Sequence, residues 1–110
     1  MANTPAKTPY TILVVDDEAP NRLLMETALR KEYTVVTAES GAECIDYLAN
    51  QLVDLIVMDV RMPNMTGYEA CSAIKGQFRT KDIPVIFLSA HIDLEDKLKG
   101  YEVGGDDYLT

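Results

Sequence analysis

Four stretches of unbroken apolar character punctuate the chain: Ile12-Leu13-Val14-Val15, Tyr33-Thr34-Val35-Val36-Thr37, Leu55-Ile56-Val57-Met58 and Pro84-Val85-Ile86-Phe87-Leu88. Runs without polar alternation predict strands buried on both faces, as in a parallel sheet. A weaker fifth run is Tyr108-Leu109-Thr110. Between the runs the pattern switches to helical period. Pro20 suits a first helical turn, after which Leu24, Met25, Ala28 and Leu29 share an apolar face while Arg22, Glu26 and Arg30 take the other. Ser40 with Glu43 three residues on predicts a capping box ahead of Ala42, Ile45, Leu48 and Ala49 at core spacing. Thr66 with Glu69 repeats that signal ahead of Cys71, Ile74 and Phe78. The fourth helix spaces Leu94, Leu98 and Tyr101 at i, i+4 and i+7, leaves Glu95, Asp96, Lys97 and Lys99 to solvent, weakens at Gly100 and stops at Gly104-Gly105. Strict alternation of strand and helix with short connections implies right-handed crossovers and an α/β, doubly wound, five-stranded parallel sheet.

The chain of 110 residues, 47% apolar and 25% charged, fits one globular domain with its own core. The domain is expected over residues 10–110, behind a disordered leader, residues 1–9, that has no apolar run to act as signal or anchor. No apolar stretch approaches the ~20 residues of a membrane span. A net charge of −8 argues against binding to nucleic acid or anionic lipid, which needs clustered Lys and Arg. Cys44 and Cys71 match no ligand spacing and fall inside helical patterns. They are expected to be free thiols of a cytoplasmic, reducing compartment.

In a doubly wound sheet the functional crevice lies beyond the carboxyl ends of the strands, where the strand order reverses. The first strand runs into Asp16-Asp17-Glu18, the third into Asp59 and the fourth into Ser89-Ala90-His91. Each feature has a plain structural alternative, since acidic and hydroxyl residues after a strand often cap the next helix. If strands 1 and 3 are neighbours, however, Asp16, Asp17 and Asp59 converge, and three crowded carboxylates are costly without a proton or a cation. Hard oxygen donors of this kind suit Mg²⁺.

Taken in order, four motifs resemble the receiver domains of two-component response regulators. They are the apolar run into Asp16-Asp17-Glu18, Asp59-Val60-Arg61-Met62-Pro63 with Gly67 following, Ile86-Phe87-Leu88-Ser89-Ala90, and Gly104-Gly105-Asp106-Asp107-Tyr108-Leu109. The resemblance runs from about Thr11 to Thr110 and implies strand order 2-1-3-4-5. It further implies that Asp59 is the phosphoacceptor, forming an aspartyl phosphate. Asp17 would bind Mg²⁺ directly, Asp16 mainly through water, and the Arg61 backbone carbonyl would add an oxygen. Ser89 would hydrogen-bond the phosphoryl group, and Tyr108 would swing inward in response, so that the strand 4, helix 4 and strand 5 face switches. The implied partner is a sensor histidine kinase or phosphotransfer protein. Such a domain catalyses its own phosphorylation and dephosphorylation but is a signalling switch rather than a conventional enzyme.

Arg61 and His91, each two positions beyond Asp59 and Ser89, would stand near the cleft mouth and tune the hydrolytic water. Met62, Pro63 and Met65 shape the loop after strand 3, and Tyr47 and Tyr101 read as packing residues. One departure from the family pattern concerns the end of the chain. After a strand reading Asp-Tyr-Leu-Thr the family continues with Lys, Pro and a fifth helix, whereas this sequence stops at Thr110. The expectation is a receiver incomplete at its C-terminus, with apolar surface bared beside helices 1 and 4 and a tendency to self-associate or swap. Two rivals stand beside the phosphoryl switch. One is a receiver-like module that never takes phosphate, which the full set of Asp16, Asp17, Asp59 and Ser89 argues against. The other is a flavodoxin-like cofactor binder, which needs a phosphate-cradling loop where this chain has carboxylates.

Overall fold

The computed structural model describes residues 9–88 and 94–109. The order is β1 (Thr11–Val15), α1 (Ala19–Leu29), β2 (Thr34–Ala38), α2 (Gly41–Leu48), β3 (Leu55–Asp59), α3 (Gly67–Lys75), β4 (Val85–Leu88), α4 (Leu94–Glu102) and β5 (Asp107–Leu109). All strand pairs are parallel, in the order β2-β1-β3-β4-β5. The chain therefore steps outward from β1 to β2, crosses back to β3 and continues the other way. That reversal puts the open crevice at the carboxyl ends of β1 and β3.

Period-2 alternation along the strands builds two cores. On one face Leu13, Val15, Ile56, Met58, Val85 and Phe87 pack against Cys44 and Leu48 of α2 and Cys71 and Ile74 of α3. On the other, Ile12, Val14 and Val57 meet Met25 and Leu29 of α1. This second face is thinly covered among the described residues. An open groove of about 560 Å³ runs between Tyr10, Ile12, Leu29, Tyr33, Asp54 and Leu55, and Leu23 and Leu24 of α1 stand in solvent. Burial pushes the Cys44 thiol to about 12 and the Cys71 thiol to about 11, so these free cysteines stay protonated and inert.

The helix faces differ from the sequence expectation in four places. In α1, Leu24 and Ala28 are exposed, and the stripe turned to the sheet is Arg22, Met25, Glu26 and Leu29. The guanidinium of Arg22 donates to the Asp16 carbonyl at 2.8 Å, which fixes the rotation of the helix. In α2, Ala42 and Ala49 face out while Gly41 and Cys44 are buried, because Gly41 lies against Met65 with no room for a Cβ. Phe78 lies past the end of α3 and is 85% exposed, stacked under Lys81. In α4, Leu98 and Tyr101 are exposed and Gly100 is buried. The second strand is also less buried than its apolar run suggests, since β2 is an edge strand with Thr34 exposed.

Both N-caps fall where the sequence places them, but of the capping box expected at Ser40 the structure shows only the bond to the Ser40 side chain. Ser40 Oγ accepts from the Glu43 N–H, and Thr66 with Glu69 forms a complete capping box. A tie the pattern does not announce lies before β5. The Asp106 carboxylate accepts from the Val85 N–H at 2.8 Å and from Lys75 Nζ at 3.3 Å, while its own N–H donates to the Val85 carbonyl. Asp106→Ala leaves the N–H of fully buried Val85 without that acceptor, so a loss of about 1–2 kcal/mol is expected in urea unfolding. Asp106→Asn, which keeps an acceptor oxygen, should lose less than half of that.

Candidate functional site

The crevice assembles because β1 and β3 are neighbours and end level with one another. Asp16 and Asp17 directly follow Val15, and Asp59 is the last residue of β3, opposite Leu88 of β4. Their carboxylates offer oxygens that all lie within 4.8 Å of one another. Asp16 is buried and held at three atoms. Its N–H donates to the Ala38 carbonyl, its Oδ1 accepts from the Glu18 N–H at 2.9 Å, and its carbonyl takes the Arg22 bond. Asp17 is exposed and Asp59 is half-buried.

The electrostatics follow from that crowding. Burial, first, and then the negative charge of Asp16 push the Asp59 carboxyl up to about 6, with Asp17 adding to the effect and a backbone hydrogen bond from Arg61 opposing it. A site that resists its own third negative charge, built only from hard oxygens, fits a small divalent cation such as Mg²⁺.

The loop after β3 is bent tightly around the acidic cluster. The Gly67 N–H donates to the Val60 carbonyl at 2.8 Å, and a Cβ on Gly67 would lie 2.2 Å from the Asp59 carbonyl oxygen. The first turn of α3 thus begins against the backbone of Asp59. Asn64 takes the left-handed conformation, with φ 70°, and the Met65 N–H closes on the Pro63 carbonyl. Met62 is buried and Met65 packs on Gly41, so these residues shape the loop as their types suggest.

The structure thus brings Asp16, Asp17 and Asp59 together. It places the exposed Arg61 at the same loop, with its backbone against Asp59. Ser89, His91 and Thr110 lie outside the described residues. Tyr108 lies on β5, two strands beyond β3, beside Phe87 of β4, and is partly buried. Sequence reasoning did not single out Arg22, which braces Asp16 from α1, or Tyr68, whose hydroxyl accepts from Tyr108 at 3.0 Å. The available signal for Tyr68 was its place three residues before Cys71, on the buried stripe of α3.

The chain belongs to the response regulator receiver domain family of two-component signalling, whose model matches residues 12–110. It is 38% identical over 105 residues to a probable transcriptional regulator of Guillardia theta, covering 94% of this chain and 40% of that protein. It is 40% identical to a probable cyclic di-GMP phosphodiesterase of Vibrio cholerae, covering 90% of this chain and 22% of the relative. The chain therefore spans less than half the length of these curated relatives. Among solved structures, a Vibrio cholerae chemotaxis protein matches with TM-score 0.90 and 32% identity, covering 94% of this chain and 87% of that one. The receiver domain of a Pseudomonas aeruginosa sensor histidine kinase, with a magnesium ion coordinated in its active-site cleft, matches with TM-score 0.85 and 31% identity, covering 94% and 85%.

Proposed function

We propose that this domain accepts a phosphoryl group on Asp59 from a sensor histidine kinase or phosphotransfer protein, and that the new charge switches the face formed by β4, α4 and β5. The observation that carries this is the convergence of the Asp16, Asp17 and Asp59 carboxylates within 4.8 Å at the switch point of the sheet. Asp17, Asp59, the Arg61 backbone carbonyl and, mainly through water, Asp16 would hold Mg²⁺. Bound there, the ion supplies positive charge that offsets repulsion between the carboxylate and the incoming phosphoryl group. The magnesium reported in the similar Pseudomonas aeruginosa receiver supports that assignment.

The chain's own residues do the rest. An oxygen of the ionised Asp59 carboxylate attacks phosphorus, the bond from phosphorus to the donor's leaving group breaks, and an acyl phosphate results. With its carboxyl near 6, Asp59 is mostly ionised at neutral pH and so available as the nucleophile. The Arg61 backbone hydrogen bond orients the attacking carboxylate. Asp16 is held in place by Glu18, Ala38 and Arg22. Ser89 would bond a phosphoryl oxygen and Tyr108 would report it, while His91 and the Arg61 side chain would tune the hydrolytic water. A structure of a phosphorylated cyanobacterial response regulator, 31% identical with TM-score 0.86, supports the same chemistry.

Among the described residues no helix is long and apolar enough to cross a membrane, and the reading is of a cytoplasmic signalling switch with reduced cysteines. The thinly covered face beside α1 is a place where a second copy could associate. Incubating the protein with acetyl phosphate and Mg²⁺ should add about 80 Da, one phosphoryl group, in a metal-dependent reaction that Asp59→Asn abolishes. A gain that survives Asp59→Asn, or no gain at all in the wild type, would overturn the proposal.

A further inference from the structure

Tyr108 sits in an aromatic and hydroxyl environment more specific than packing requires. Its ring lies 5.3 Å from Phe87 and 5.7 Å from Tyr101, and its hydroxyl donates to the Tyr68 hydroxyl at 3.0 Å. Tyr68 is itself 5% exposed and edge-on to Phe87 at 4.9 Å. The ring is admitted beneath α4 only because position 100 is glycine, since a Cβ there would fall 1.8 Å from the Tyr108 hydroxyl oxygen. Tyr68 in turn is the second residue of α3, immediately after Gly67, which lies against the Asp59 backbone and donates to Val60.

We propose that Tyr68 is a positioning residue for Tyr108: its buried hydroxyl latches the ring inward beneath Gly100 and ties β5 to the loop that carries Asp59. The latch deepens the phosphoryl-switch reading and rests on it for its purpose, because a route from Asp59 through Gly67 and Tyr68 reaches Tyr108. The ring already lies inward in this structure, so the inward swing that the family resemblance implies becomes a strengthening of an existing latch when phosphorylation shifts the first turn of α3. A hydroxyl pair suits this task, because one neutral hydrogen bond biases two ring positions without freezing either.

The test reads ring position in the unphosphorylated protein. In aromatic NMR of the wild type, Tyr108 should show close contacts to Gly100 and to the Tyr68 ring. Tyr68→Phe keeps the ring that packs on Phe87 and removes the hydroxyl, so the fold survives. The ratio of inward to outward Tyr108 should fall about fivefold, the weight of one net hydrogen bond. Gly100→Ala supplies the outward reference, because its Cβ meets only the far end of a side chain that can swing away. The Tyr68→Phe shifts should move toward that reference. An inward population unchanged or increased in Tyr68→Phe would overturn the latch. Phosphoryl uptake from acetyl phosphate, followed by mass on the same samples, separates the two ideas. Wild-type protein that gains no mass overturns the acceptor role of Asp59, while the ring measurement decides the latch.

Discussion

Alanine at position 67 is expected to cost about 3 kcal/mol of folding stability and to slow phosphoryl uptake about 100-fold. The added Cβ would lie 2.2 Å from the Asp59 carbonyl oxygen and 3.0 Å from both the Asp59 carbonyl carbon and Met58 Cγ. Two of these three are backbone atoms of β3, so no rotamer change relieves them. Either the end of β3 or the start of α3 must shift, and the bond from the Gly67 N–H to Val60 stretches with it. The stability loss is an overpacking cost. The rate loss follows because the displaced atoms belong to the proposed phosphoacceptor, where about 1 Å of misplacement costs orders of magnitude. Gly76→Ala is the matching control. At the C-cap of α3, with φ −78°, a Cβ meets nothing closer than 3.3 Å, so that change should be near neutral in both assays. Urea unfolding and the initial rate with acetyl phosphate check both variants. A Gly67→Ala protein within about 0.5 kcal/mol of wild type would refute the steric account.

That steric account also shows why some of the molecule was legible in its sequence and some was not. The strands were legible because parallel strands covered by helices need apolar residues on both faces, and Ile12 to Val15 or Leu55 to Met58 admit little else. The acidic cluster was legible because carboxyl ends of strands are where a doubly wound sheet opens, and three aspartates stand there. Helix rotation was not. Arg22 read as a solvated charge because its partner, the carbonyl of Asp16, is a backbone atom that no composition reveals. Leu98 and Tyr101 read as core because period alone ignores what lies beneath a helix. Beneath α4 lies the Tyr108 side chain, which selects Gly100 and turns the larger residues outward. Asp106 was visible as part of a motif, but its partner is the Val85 N–H, 21 positions earlier, and only the pairing of β4 with β5 brings them together.

The acidic cluster carries the second large expectation, that Asp59→Asn stabilises the metal-free fold while abolishing its chemistry. In the folded site the Asp59 carboxyl is raised to about 6 from an ordinary 3.8, so between those values the native state holds a proton that the unfolded chain has released. Below the ordinary value the group is neutral in both states and costs nothing. As pH rises through about 6 the native site must ionise against Asp16 and Asp17, and folding stability falls. The full shift would correspond to roughly 3 kcal/mol, but the carboxyl is partly open to solvent, and screening leaves about 1 kcal/mol. The wild type in a chelator should therefore lose about 1 kcal/mol relative to Asp59→Asn between about pH 4 and pH 7.5, read as a difference so that other titrating groups cancel. Saturating Mg²⁺ should reverse the order at neutral pH, because a ligand that binds the native state adds stability with its concentration and the variant has lost one anionic donor. A difference that stays flat with pH, or a variant that gains as much from Mg²⁺ as the wild type, would show that Asp59 is not the strained member of the cluster. The same crowding of anionic groups that makes Asp59 costly to ionise would also resist the phosphoryl group it accepts, so both depend on the cation that offsets the charge. The stability lost at neutral pH and the acceptor chemistry are therefore two readings of one arrangement, and substituting this residue should move both together.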